Sequence, residues 1–196
     1  LSGSPVVPLR VDRTKATVAY LYNPTGRWRT NFGYSAESKV GQKAIGVSYG
    51  HGQIQEALEP VDYQTHDITL GSEYVGKGFG FSAGYQLSLF VNSTKELMVD
   101  NPFQLADSAI AANGGSTPGK ARMALAPNNQ SHQVSLALAS KTTLKSHLTT
   151  AFSVATQLQN DGFLPLTSNN LLANDPRLSA LPQSSLACKV LTLNGS

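Results

Sequence analysis

Hydrophobic and polar residues alternate along much of this chain with a period of two. From Phe79 to Val91 the odd-numbered positions are all apolar or aromatic, and the even-numbered positions are Gly, Ser or Gln up to Phe90. Successive side chains of a β-strand point to opposite faces, whereas a helix would spread these residues around its circumference. The pattern therefore predicts an extended strand with one apolar face.

The same alternation recurs and predicts about eight strands, over residues 15–22, 26–36, 45–49, 67–74, 79–91, 133–138, 148–159 and, more weakly, 186–193. Several of these are long, because strands of globular proteins average about 5–6 residues. A tilted strand needs about 9–11 residues to cross a bilayer. The predicted fold class is all-β, an antiparallel transmembrane β-barrel.

The predicted connections alternate in length. Short turns are expected at 37–41, 76–78 and 141–146, and long loops at about 50–63, 92–129 and 161–183. Outer-membrane barrels have short turns on the periplasmic side and long loops outside. We therefore expect the three long loops on one rim of the barrel.

The alternation divides the strand residues into two candidate faces. The candidate lumen-facing residues are Arg27, Arg29, Asp67, Glu73, Gln86, Gln133 and Gln157. The candidate membrane-facing residues are Trp28, Phe32, Phe81, Tyr85, Leu87, Leu136 and Phe152. Aromatic residues on the apolar faces are typical of the girdles at the two membrane surfaces, although core aromatics give the same pattern; they are Trp28, Tyr34, Tyr49, Tyr74 and Tyr85.

The polar face consists mostly of Gly, Ser, Ala and Thr, with a few Gln. A closed eight-stranded barrel has a narrow interior that side chains must fill. Small side chains suit the wall of a wide lumen instead. We therefore predict that residues 1–196 form a single segment of a larger barrel, and we expect this chain, which has neither an initiator Met nor a signal peptide, to be a piece of a longer protein.

Composition excludes several classes of protein. Only 14% of residues are charged, against about 25% in ordinary domains. The net charge of +3 has no Lys/Arg cluster behind it, which argues against nucleic-acid binding. No apolar stretch is long enough for a membrane-spanning helix. The single cysteine, Cys188, excludes an internal disulfide.

No pattern in the sequence indicates chemistry carried out by this chain. The histidines His51, His66, His132 and His147 lack metal-ligand spacing, and no H-E-x-x-H or G-x-S-x-G string occurs. No C-x-x-C-H string is present for haem attachment. We expect no catalytic residues, no bound cofactor and no metal site in this chain.

Several short strings resemble the MtrB/PioB family of decahaem-associated outer-membrane proteins. They occur in the order found in that family, over 22–28, 58–65, 100–103, 125–133, 159–165 and 181–186. One departure is Ala187-Cys188, where the family would have an acidic residue and a glycine. The resemblance therefore covers most of the chain and is weakest at the final strand.

The resemblance implies a location and a partner. Family members form a porin-like sheath across the bacterial outer membrane, in contact with its lipid. A periplasmic multihaem c-type cytochrome inserts into the lumen, and an external cytochrome is a further candidate partner. Electrons would then cross the membrane on haems carried by the cytochrome, while the sheath supplies position and insulation.

Two other functions fit the strand pattern. A simple diffusion porin or small outer-membrane barrel without a cytochrome partner would show the same alternation. A soluble lipocalin-like carrier would turn its apolar faces inward, although its outer faces would then have few of the charges that protect soluble sheets.

Overall fold

The fold is described from a computed structural model, which places residues 8–50, 53–108, 118–143, 146–165, 167–179 and 187–195. Nearly all of its regular structure is β-sheet. The strands are β1 (Val11–Tyr22), β2 (Trp28–Gly50), β3 (Gln53–Val75), β4 (Phe79–Asn92), β5 (Glu96–Asp100), β6 (Lys120–Ala124), β7 (Asn129–Thr143), β8 (Ser146–Gln159) and β9 (Cys188–Gly195). The short helix α1 covers Pro176–Ser179. None of the described residues forms a helix of the length and hydropathy that crossing a bilayer requires.

Seven strands form one sheet in the order β1-β2-β3-β4-β7-β8-β9, and β5 and β6 form a separate hairpin. Every pairing is antiparallel. Among the described strands, β1 and β9 are the two edges and do not pair with each other. The predicted all-β antiparallel fold is confirmed, and the sheet is open.

The antiparallel order assigns each connection to one end of the sheet. The β1–β2, β3–β4 and β7–β8 connections lie at one end, which we name the short-turn end. The β2–β3, β4–β7 and β8–β9 connections lie at the other, the long-loop end. The segments predicted as long loops thus follow strands that run toward the same end.

Two of the predicted connections are wrong, because β2 and β3 are continuous strands of 23 residues each. The predicted turn at 37–41 lies inside β2, and most of the predicted loop at 50–63 lies inside β3. The two strands pair along almost their whole length, from Trp28↔Tyr74 to Gly50↔Gln53.

A change in hydrophobic parity explains the error at 37–41. Apolar residues of β2 fall on even positions at first, as in Trp28 and Phe32, and on odd positions later, as in Ile45 and Val47. Such a change suggests a break between two strands. The strand continues instead, and the face that carries apolar residues switches within it.

The β5–β6 hairpin causes this switch. Val47 of β2, Leu97 of β5, Ala121 of β6 and Leu125 form a buried apolar cluster. The hairpin lies inside the segment predicted as a loop over 92–129, so that prediction is also wrong in part. Each of its strands has only five residues, too few to give a clear alternation.

Gly41 marks the point where β1 joins the sheet. Val11 pairs with Gly41, and the backbone amide of Gln42 donates to the carbonyl of Arg10 at 2.9 Å. Gly41 has φ +154°, and a Cβ there would collide with the Arg10 carbonyl. The glycine that suggested a turn therefore allows a close approach of two strands.

The last strand begins at Cys188. The predicted strand started at Leu186, which lies outside the described residues, as does part of the predicted loop over 161–183.

Candidate functional site

The strand register brings the predicted polar-face residues onto one face of the sheet. Arg29 pairs with Glu73, and Gln86 pairs with Gln133. Directly paired residues point to the same side of a sheet. By the same register Asp67 and Gln157 share this face, which we name the polar face, and Arg27 lies just before β2. Their exposure to a lumen stays a prediction.

The predicted membrane-facing residues share the opposite face, which we name the apolar face. The seven residues are Trp28, Phe32, Phe81, Tyr85, Leu87, Leu136 and Phe152. Large side chains on this face stay exposed, as Leu70 at 45% and Phe152 at 47% illustrate. A soluble protein rarely leaves so much contiguous apolar surface uncovered.

The side chains at the centre of the polar face are small, so the wall is thin there. Asn31, Gly71, Gly84, Ser135 and Ser153 form one cross-strand row. A Cβ at Gly71 would collide with the Asn31 amide, and one at Gly84 would lie 2.7 Å from Ser135 Oγ. The glycines therefore make room for neighbouring polar groups, and a partner molecule could approach the backbone closely here.

Charge is unevenly distributed over the polar face. Glu37 on β2 pairs with Arg13 of β1 at 2.6 Å and with Lys39 at 3.1 Å. Arg29 and Glu73 lie 4.0 Å apart at the short-turn end. The polar-face positions of β4, β8 and β9 contain no Asp, Glu, Lys or Arg. The exposed pair of Arg29 and Glu73 adds little stability. We interpret the polar face as charged on β1 to β3 and nearly neutral on β4, β7, β8 and β9, whose described polar-face positions include one charged residue, Lys141.

Aromatic side chains lie near both ends of the apolar face. At the short-turn end, Trp28 and Tyr74 have ring centroids 5.6 Å apart, and Tyr74 and Phe79 6.4 Å. Tyr34 lies closer to the long-loop end, and Tyr85 lies midway between the Trp28 and Ala36 rows. From Trp28 to Ala36 the strand covers about 26 Å at about 3.3 Å per residue, which tilt reduces to about the height of a barrel's apolar band. We name this region of the apolar face, from the Trp28 row to the Ala36 row, the apolar band.

Tyr49 does not belong with these aromatic residues, so its predicted place in a membrane girdle is wrong. It occupies an odd position of β2, on the same side as the polar face. Its hydroxyl donates to the carbonyl of Asp100 at 3.0 Å, and its ring meets Phe103 edge-on at 6.2 Å. Tyr49 therefore packs against the β5–β6 hairpin and lies beyond the band.

The hairpin is part of a larger structure at the long-loop end. We name it the rim cap, and it consists of residues 41–50 of β2, residues 53–61 of β3, the β5–β6 hairpin, and residues 161–165 and 167–175. The hairpin packs on Val47 and Ala57, which occupy polar-face positions of their strands. The rim cap thus lies over the polar-face side of the sheet.

Hydrogen bonds connect the last part of the rim cap to the hairpin. The guanidinium of Arg122 donates to the carbonyls of Pro165 and Thr167, the second at 2.8 Å. Ser168 Oγ donates to the carbonyl of Lys120 at 2.7 Å. The buried Asn169 donates to the carbonyl of Ser108 at 2.9 Å. The two long connections therefore form one packed unit.

A charged cluster lies at the base of the rim cap. The buried Glu59 accepts a hydrogen bond from Tyr63 Oη at 2.9 Å and lies 3.0 Å from Lys43 Nζ. The hydrogen bond to Glu59 raises the pKa of Lys43, and burial together with the bond to Glu59 raises the pKa of Tyr63. Burying a carboxylate is costly unless it is paired and hydrogen-bonded, and Glu59 has both kinds of partner.

This cluster should make the rim cap sensitive to alkaline pH. Both pKa values are raised above their ordinary values of 10.5 for Lys43 and 10.0 for Tyr63. Their contribution to stability is therefore complete below those values and is lost as pH rises through the raised ones. We expect the ultraviolet phenolate titration to show a late-titrating tyrosine that Tyr63→Phe removes.

Glu59→Gln should move that late titration toward the ordinary value, because it removes the carboxylate that the phenol faces. Glu56→Gln, at an exposed position of the same strand, is the matched control and should leave the titration unchanged. Equal titrations of wild type and Glu59→Gln would contradict the proposed coupling.

Within the described ranges, no three His, Cys, Asp or Glu side chains come together in a group that could hold a metal ion. His66 and His132 lie on the apolar face and His147 on the polar-face side, while His51 lies outside the described residues. The sequence analysis did not predict the rim cap, nor the hydrogen bonds and ion pair that Arg122 and Glu59 make in it. The local signals were two short alternations, of Leu97 with Val99 and of Ala121 with Met123 and Leu125.

Comparison with known proteins gives two findings. The family model described as an outer membrane beta-barrel porin, MtrB/PioB, matches residues 3–196. The protein named "Outer membrane protein MtrB" from Shewanella baltica (strain OS185) is 31% identical over 128 residues. The matched region is 65% of this chain and 17% of that relative, so the chain corresponds to a small part of the relative's length.

Proposed function

Because this chain belongs to the MtrB/PioB family of outer-membrane β-barrel porins, we propose that its sheet is part of a sheath that houses a multihaem c-type cytochrome. The apolar face contacts outer-membrane lipid, and the polar face lines the lumen. The membership itself places the protein in the outer membrane, so the alternative of a soluble lipocalin-like carrier is wrong.

The observation that carries this proposal is the thin, continuous polar face. Its central row of Gly, Ser and Asn residues presents little bulk, and the polar-face positions of β4, β8 and β9 are uncharged. A folded protein that must lie close to the wall requires such a surface. Haem chains also require shielding from lipid and water, which a barrel wall provides.

The two ends of the sheet suggest how the partner enters. Short turns of outer-membrane barrels face the periplasm. The periplasmic cytochrome therefore enters from the short-turn end, and the rim cap covers the lumen side at the external end. An external cytochrome would meet the barrel at the rim cap.

The redox chemistry in this proposal belongs to the partner. The chain supplies insulation and position, and the haem groups stay attached to the cytochrome. We propose no catalytic residue, cofactor ligand or metal ligand in this chain.

The test is copurification of haem. The complete protein is extracted in detergent from its native host and purified through an affinity tag. We expect the absorbance bands of c-type haem at a fixed ratio to the protein. A barrel that purifies intact and free of haem would instead support the diffusion porin.

A further inference from the structure

Two tyrosine–histidine pairs lie on the apolar face. Tyr34 Oη and His66 Nδ1 are 2.9 Å apart, and so are Tyr85 Oη and His132 Nδ1. The first pair is stacked and the second tilted, with ring centroids 6.1 and 6.3 Å apart. All four side chains are half-buried. The same arrangement therefore occurs twice, once between β2 and β3 and once between β4 and β7.

This arrangement favours one tautomer of each histidine. A phenol is a strong donor, so the neutral imidazole accepts at Nδ1 and carries its hydrogen on Nε2. A protonated imidazole carries a hydrogen on Nε2 as well. Within the described ranges, Nε2 of His66 and His132 has no protein partner. Each ring therefore offers a free N–H donor.

Both rings lie at the long-loop end of the apolar band. The cross-strand row of His66 contains Gln130 and Lys189, and neither this row nor the row of His132 contains an acidic residue. On β3 the next acid on this face is Asp62, about 13 Å from His66 along the strand. The end of the band thus presents two N–H donors, an amide and one lysine.

We propose that each of these two histidines binds the phosphate of a lipid headgroup. The Nε2–H group of His66 or His132 donates to a phosphate oxygen, and the neighbouring apolar residues contact the acyl chains. Lys189, two strands from His132, adds positive charge to the same end of the band. Hydrogen bonds between such donors and an anion are charge-assisted and strong. The proposal rests on the assignment of the apolar face to lipid, and it does not depend on a cytochrome.

The test counts lipids bound to the complete protein in detergent by native mass spectrometry. The protein is titrated with phosphatidic acid, and separately with diacylglycerol of the same acyl chains, which has no phosphate. We expect phosphatidic acid to bind and His66→Leu/His132→Leu to weaken its binding about tenfold, as the loss of one hydrogen bond to a charged group per bound lipid predicts. Diacylglycerol binding should be weak and unchanged.

His147→Leu is the matched control, because His147 lies at the short-turn end on the other face, and it should bind phosphatidic acid like the wild type. Tyr34→Phe/Tyr85→Phe keeps both rings but removes the phenol donors, and should weaken binding by a smaller factor. Unchanged binding in the double histidine variant would overturn the proposal, and so would inorganic phosphate competing as well as the lipid. Circular dichroism confirms that each variant is folded.

Discussion

Replacing Val134 by arginine destabilises the protein by about 2–4 kcal/mol, the cost of a cation at the lipid-facing midplane of a barrel. Val134 is 45% exposed and belongs to the central row of the apolar band, with Phe32, Leu70 and Tyr85. If this face meets lipid, the guanidinium has no water there. The same substitution on a soluble surface would have almost no effect.

The adjacent Gln133→Arg is the matched control. Gln133 is on the same strand but on the polar face, where the arginine would lie in the lumen. The complete protein is folded into lipid vesicles and unfolded with urea, and the free energies of unfolding are compared. A large loss in Gln133→Arg with none in Val134→Arg would show that the two faces have been assigned the wrong way round.

The two faces could be predicted from sequence because they depend on a period of two alone. The strand residues proposed for the lumen, from Arg29 to Gln157, share one face of the sheet, and those proposed for the membrane, from Trp28 to Phe152, share the other. In a β-strand, parity determines the side. No knowledge of the neighbouring strand was needed.

The long strands could not be predicted, because the covering layer determines which face is apolar. At Val47 the apolar side chain of β2 lies on the face that the β5–β6 hairpin covers. At Trp28 the apolar side chain of the same strand lies on the other face. Local pattern shows the change of parity but not its cause. The hairpin itself pairs residues of β5 and β6 that are 20 to 28 positions apart, and such pairing is not visible in a short alternation.

The contacts of the candidate site could not be predicted either, because they depend on how the strands pair. Glu59, Lys43 and Tyr63 meet because of the register of β2 and β3, and Tyr85 meets His132 across 47 residues. Sequence analysis found His66 and His132 without metal spacing and gave them no role. Their common position at one end of the band is set by the pairing of β3, β4 and β7.

We expect the largest effect on function from bulky substitutions in the central row of the polar face. Ser135 and Ser153 are directly paired on the polar face, and Ser135 is also paired with Gly84. Ser135→Trp/Ser153→Trp places two large rings where the proposed cytochrome lies closest to the backbone. We expect copurified haem to fall at least about tenfold, which corresponds to about 1.4 kcal/mol of binding free energy.

Val134→Trp/Val154→Trp is the matched control, because these two residues are also directly paired but lie on the apolar face. It places the same two rings on the lipid side and should leave the haem-to-protein ratio unchanged. If the serine variant retained its full haem content, the cytochrome could not lie against this part of the wall. If both variants lost haem equally, the effect would come from a damaged barrel, and the polar face would have no special role in holding the partner.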